Sequence, residues 1–333
     1  MVLTRRKLGT AGLILLMLIF IVILSGCGKK SNAEIVPGKV NVVTSFYPIY
    51  EFAKEIGGAE ANVTNLLPTG VEPHDWTPRS KEILNTSKAQ LFLYHGAGLE
   101  GWVPNFLKGL GSDAVVKPVE VSQGVSLITA EGDDGHHHGE EAVEHEEHDE
   151  GSEAEAESSH HIDPHTWVSP KSAKIIAENI KNSFIEVDPD HQADYESRYA
   201  ELAKKLDDLD AKFSTKLAGT NKKEIVVSHQ AFGYLCRDYG LTQHAIMGLS
   251  PDAEPRAQDI VALSKTVQEE GIQYIFFEEL VSDRLAKTLA NEAGVKTLVL
   301  NPVEGLTKEQ EKNGENYFTL MEKNLQNLLL ALQ

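Results

Sequence analysis

Cysteine is almost absent. The 333 residues carry two, Cys27 and Cys236. Cys27 closes an N-terminal apolar run that reads as a processing signal, so the pair cannot form a disulfide framework. Stability must come from buried cores, and a chain of this length suits two domains of roughly 100–150 residues each. Positive charge is also scarce. Lys and Arg number 31 against 50 Asp and Glu, a net charge of -19. That balance excludes nucleic acid and anionic membrane surfaces as electrostatic partners and makes a cation the natural ligand. The hydrophobic fraction, 41%, is ordinary for a chain with a real core.

Outside its first residues the chain has no long apolar run. Arg5, Arg6 and Lys7 precede an apolar stretch from Ala11 to Leu24, which ends Leu24-Ser25-Gly26-Cys27. The charged flank and short run are those of a secretory signal. The run is also short of the roughly 20 residues needed for a span. The small residues before Cys27 resemble a bacterial lipobox. Residues 1–26 are therefore expected to be a signal peptide, and residues 27–38 a tether with lipid, such as palmitate, on Cys27. That places the rest on the extracytoplasmic face of the cell membrane; an uncleaved anchor would export it equally. Cys236, in the apolar stretch Ala231 to Cys236, is expected as a buried unpaired thiol.

From Val40 onward, strand-like and helix-like segments alternate. Strand signals are Val40 to Thr44, Val63 to Leu67, Gln90 to Tyr94 and Ala114 to Val121, with helical patterns at Ile49 to Ile56, Ser80 to Thr86 and Trp102 to Leu110. A later series has strands at Glu224 to Val227, His244 to Met247, Gln273 to Phe277 and Thr297 to Leu300. Its helices are Ala231 to Tyr239, Pro255 to Glu269, Asp283 to Ala293 and a final one from Lys308 to Leu332. Alternation of this kind indicates βαβ units and mostly parallel sheets. Between the series, a helix starting at Pro170 runs to about Phe184. A longer one spans His191 to Leu217. Its apolar positions Tyr195, Tyr199, Leu202, Leu206, Leu209 and Phe213 recur every three or four residues, and it contains no glycine or proline. The expected fold is α/β, two lobes at 39–187 and 218–333 joined by one long rigid helix at 188–217.

Residues 131–161 lack lysine and arginine altogether. They hold thirteen acidic residues, hence most of the net charge, and the histidines His136, His137, His138, His145, His148, His160 and His161. Such a segment cannot bury a core and is expected to be a disordered loop with accessory metal affinity.

Three other histidines stand in ordered settings. His74 lies in a loop after a strand, His165 in a loop before a helix, and His229 directly after the strand Ile225 to Ser228. In α/β sheets ligands bind outside the carboxyl ends of strands, where His74 and His229 would sit. Imidazole is a good Zn2+ donor, and zinc favours four ligands in a tetrahedron. The fourth is open by spacing alone: Glu278, Glu279, Asp252 and Glu304 are candidates. Asp75, Glu72 and Asp163 are near enough in sequence to orient the imidazoles. His95, His191 and His244 read as structural or solvated, and Trp76 and Trp167 as packing residues.

The motifs Ser45-Phe46-Tyr47-Pro48, Gly70-Val71-Glu72-Pro73-His74-Asp75-Trp76 and Gly96-Ala97-Gly98-Leu99-Glu100-Gly101-Trp102 carry a specific resemblance. So do Asp163-Pro164-His165-Thr166-Trp167, Val227-Ser228-His229-Gln230-Ala231-Phe232 and Leu300-Asn301-Pro302-Val303-Glu304-Gly305-Leu306-Thr307. Together they resemble the cluster A-I family (family 9) of metal-binding solute-binding lipoproteins, which deliver zinc or manganese to ABC importers. The resemblance covers essentially all of the mature chain. It implies metal ligands at His74, His165, His229 and Glu304, transported Zn2+, and partners in a permease and its ATPase. The chain itself would be a monomer and not an enzyme. Three nitrogen donors favour zinc over a manganese-binding member of the same family. The alternative from another class is an exported zinc-dependent hydrolase, but no His-Glu-x-x-His motif is present and no general base stands out.

Overall fold

The apolar runs pair as two parallel sheets of four strands. The computed structural model describes residues 35–111, 113–129, 162–251 and 255–333. The signal segment, Cys27, the histidines of 131–161 and Asp252 lie outside the described residues. In the first sheet β1 (Val40–Thr44), β2 (Ala61–Asn65), β3 (Leu91–Tyr94) and β4 (Lys117–Glu120) lie in the order β2-β1-β3-β4. A two-stranded antiparallel pair follows, β5 (Ile128–Thr129) with β6 (Ile162–Asp163). Strands this short carry no periodic signal in the sequence, yet this pair delivers the chain to Asp163. The second sheet contains β7 (Glu224–Val227), β8 (Thr242–Ala245), β9 (Tyr274–Phe277) and β10 (Lys296–Val299), ordered β10-β9-β7-β8. Read from the other edge it repeats the first sheet's order. All of β1 and most of β7 are buried, as befits parallel strands covered on both faces.

The long helix is observed as Gln192–Ala218, entered through a 3-10 turn at Pro189–His191. Its stripe, Tyr195, Leu202, Leu206, Leu209, Phe213 and Leu217, is buried. It packs against the helices Pro170–Val187, Tyr47–Gly57 and Tyr317–Ala331, so it is a wall of the core as well as a connector. One apolar cluster runs from Val40, Ile49 and Phe52 through this stripe to Tyr234, Tyr317 and Leu328. Each buried leucine of the stripe contributes about 1.5–3 kcal/mol. Stripping the helix from these neighbours would forfeit several such contacts.

Three expectations are corrected. The final helix is broken into Lys308–Lys312 and Tyr317–Ala331. Gly314 adopts φ +71°, and the Asn316 side chain caps the second helix by accepting from the Thr319 N–H. The strands expected at Val63 to Leu67 and at His244 to Met247 each lie two residues earlier, where Ala61 pairs with Val40 and Thr242 pairs with Glu224. Cys236 is a free, buried thiol. No helix among the described residues is long and apolar enough to cross a membrane.

Candidate metal centre

In the second sheet the chain leaves β7 for β8 on one side and returns to β9 on the other. The crevice this creates at the carboxyl ends of β7 and β9 is where such sheets bind ligands. His229 follows β7 and Glu278 follows β9. Glu278 Oε1 accepts the His229 Nδ1–H at 2.7 Å and the backbone N–H of His229 at 3.3 Å. That bond keeps a proton on Nδ1, so that Nε2 is the nitrogen that gives up its proton and donates a lone pair to an ion.

The same device recurs at His165. Asp163 Oδ1 accepts its backbone N–H at 2.9 Å and its Nδ1–H at 2.8 Å. The Asp163 carbonyl accepts from Tyr234 Oη at 2.6 Å. Gly233 lies so close that a Cβ there would sit 2.4 Å from Asp163 Oδ2; only glycine permits this approach. Below the loop, the buried His95 donates from Nε2 to the Pro164 carbonyl at 2.8 Å. Burial pushes the His95 imidazole down to about 3, so it stays a neutral donor.

His74 comes from the loop after β2. Glu72 accepts its backbone N–H at 3.0 Å. The Gly70 N–H donates to the Leu306 carbonyl at 2.9 Å, joining this loop to the one that carries Glu304 after β10. The His74 side chain is 10% exposed, against 0% for His165 and His229 and 2% for Glu304.

These four side chains converge. His165 Nε2 lies 3.1 Å from His74 Nε2 and 3.3 Å from His229 Nε2. Glu304 Oε1 lies 3.4, 3.3 and 3.6 Å from the Nε2 atoms of His74, His165 and His229. A tetrahedral ion bound at about 2.0–2.1 Å separates its ligand atoms by roughly 3.3–3.4 Å. Among the described residues this is the cluster able to hold a metal ion. Its electrostatics ask for a cation. Asp163, Glu278 and Glu304 are three buried carboxylates, and buried charge is costly unless paired. Burial draws the His229 imidazole down, but Glu278 and then Glu304 outweigh it and push the group up to about 10. Burial likewise opposes charge on His165, and the carboxylates of Asp163 and Glu304 together overturn it, raising that group. On His74 burial prevails and holds the imidazole below its ordinary value. Burial alone would raise Glu304, yet the facing imidazoles of His165, His229 and His74 hold it well below the usual carboxylate range.

Residues 42–331 match the model of a protein family described as zinc-uptake complex component A, periplasmic. The chain belongs to this family. It is 42% identical over 302 residues to a zinc-binding protein AdcA of Streptococcus pyogenes, covering 91% of this chain and 58% of that relative's length. Over 318 residues it is 41% identical to the high-affinity zinc uptake system protein ZnuA of Bacillus subtilis, covering 95% of each. The solved zinc-bound ZnuA-like domain of Streptococcus pneumoniae AdcA superposes with a TM-score of 0.72 at 39% identity, over 89% of this chain and 99% of that one.

The other candidates fall elsewhere. Glu278 orients His229 from behind and is not in the cluster. Glu279 is exposed and accepts from Asn301 and Gln310. Asp75 is exposed, so of the carboxylates near in sequence only Asp163 meets an imidazole Nδ1 and Glu72 grips backbone. His191 and His244 pair with Asp188 and Glu224. Trp76 packs edge-on against Trp102, while the buried Trp167 donates its indole N–H to the Pro302 carbonyl at 2.7 Å. Sequence reasoning missed the supporting role of His95 and Trp167; the signal was their place beside strand ends and the Asp-Pro-His motif.

Proposed function

We propose that this protein captures Zn2+ outside the cytoplasm and delivers it to an ABC-type permease, whose ATPase supplies the energy. The convergence of His74, His165, His229 and Glu304 at tetrahedral spacing carries the reading. Three imidazoles and one carboxylate suit zinc better than Mn2+, which prefers more oxygen donors. Four protein ligands leave no position for an activated water, which argues for binding over hydrolysis. Family membership and zinc-binding relatives support the same reading. In it, residues 39–187 and 218–333 act as two lobes, and the 188–217 helix limits their motion to small adjustments. Lipid on Cys27 tethers the monomer to the membrane, and the histidines of 131–161 gather zinc weakly for the tight site.

The test is a zinc titration of chelator-stripped full chain in detergent, against a competing chromophoric chelator. One tight site is expected. The triple variant His74→Ala, His165→Ala, His229→Ala should lose it. A tight site of unchanged affinity in that variant would refute the reading.

A further inference from the structure

Val303 is fully buried and has φ +59°, in the left-handed region. A β-branched residue there is strained, and the conformation persists only where its surroundings dictate it. The surroundings do so here. The Val303 N–H donates to Asn301 Oδ1 at 2.7 Å. Asn301 donates from Nδ2 to Glu279 Oε2 at 2.8 Å, and Gln310 Nε2 donates to the same oxygen at 2.6 Å. The backbone N–H of Asn301 donates to Asn324 Oδ1 at 2.8 Å, and its carbonyl accepts from Asn324 Nδ2 at 2.6 Å. The next carbonyl, that of Pro302, accepts the Trp167 indole N–H. Residues 301–303 are thus held at every one of these polar groups, and the residue that follows is Glu304.

We propose that Asn301, held by Glu279, is a positioning residue for the metal centre. By keeping Val303 left-handed it presents Glu304 with one oxygen aimed at the three histidines. A ligand fixed before binding loses less freedom when the ion arrives, which is the source of the affinity gained. The inference rests on the four-residue site proposed above. Asn301 and Glu279 act through Glu304 and do not touch the ion. Strain stored beside a ligand is the usual company of a clamped site.

The experiment uses the chelator-stripped full chain in detergent. Zinc affinity is read by competition, and Co2+ is the spectroscopic probe, since its visible absorption reports tetrahedral coordination. The variants are Asn301→Ala, Glu279→Ala, Glu304→Ala and the two doubles with Glu304→Ala. Loss of a residue that orients a ligand typically costs 10–100-fold in metal affinity, so about that loss is expected for Asn301→Ala, with a weakened Co2+ spectrum. Glu279→Ala, at an exposed position that should not disturb folding, is expected at the lower end. In the Glu304→Ala background neither substitution should change zinc affinity more than about twofold, because independent sites add and coupled ones do not. The proposal is overturned if both single variants bind like the parent, or if they lose as much without Glu304 as with it. If Glu304→Ala itself binds zinc like the parent, the four-residue site fails and this inference with it.

Discussion

In both sheets the second strand lies outside the first, and the third returns to the first strand's other side. Each sheet therefore has a crevice between its first and third strands. Between β7 and β9 that crevice holds His229 and Glu278, one converging with the other candidate ligands and the other its orienting carboxylate. Between β1 and β3 it holds Phe46 and His95, which pack with Trp167 at ring separations of 4.7 and 4.9 Å. The first sheet thus faces the candidate site with a floor, and its half of the molecule reaches that site through loops. One of them, bearing His165, is braced from below by His95 and from the side by Asp163. The other, bearing His74, is gripped by its backbone and remains partly exposed. Equal topology does not mean equal roles; rigidity at each proposed ligand follows from its distance to a strand end and its bracing.

The comparison can be broken by substitution. The largest effect is expected from His229→Ala or His165→Ala. Sharing the roughly 10–16 kcal/mol of a four-ligand zinc site among its members gives a loss of about a hundred- to a thousandfold in zinc affinity, read by chelator competition. Equal tolerance of both substitutions would remove the distinction between braced ligands and the rest. A comparable effect is expected from pH. His229 is pushed up to about 10 in the metal-free protein, so at neutral pH it holds a proton that zinc must displace, and His165 is raised in the same direction. Affinity should then fall as pH falls, by about tenfold per unit for each proton that leaves. Calorimetry in buffers of different ionisation enthalpy should count those protons near pH 7; a count of zero would contradict the assigned charge states.

Next in size are the orienting carboxylates. Glu278→Gln and Asp163→Asn should each weaken zinc by about 10–100-fold while leaving one site per chain. His74→Ala should cost less than His229→Ala, about tenfold, because water can replace a ligand at a tetrahedral position open to solvent. A His74→Ala loss as large as that of His229→Ala would erase the contrast between loop and strand end. The smallest effect is expected from deleting residues 131–161, which should leave the affinity of the four-residue site within about twofold, the range of a substitution remote from any packed feature. Uptake at limiting zinc after the same deletion separates an acquisition role from incidental binding.

The sheets were legible because parallel strands buried on both faces read as near-continuous β-branched and apolar runs. Element ends slipped by up to three residues where hydrogen-bond register decides them, as at Lys117 and Thr242. The break at Gly314 escaped a helical pattern that continues on both sides of it. At the site, His74, His165 and His229 stood out as loop histidines beside strand ends, and Asp163 as a carboxylate two residues from one of them. Glu304 was open among four carboxylates until the resemblance singled it out. Glu278 was weighed as a ligand because a sequence shows that a strand ends there without showing which strand lies beside it. Only the order β9-β7 puts its carboxylate behind His229. Apart from the local bond from the Val303 N–H to Asn301 Oδ1, the hydrogen bonds around Asn301 join residues 22 to 31 positions apart or more distant still, so no local pattern announces them.

The most direct measurement is a crystal structure of the zinc-loaded protein with anomalous scattering recorded on both sides of the zinc edge. The account predicts one strong peak equidistant, at about 2.0–2.2 Å, from the Nε2 atoms of His74, His165 and His229 and from Glu304 Oε1. A peak coordinated elsewhere, with those four atoms bare of metal, would contradict it.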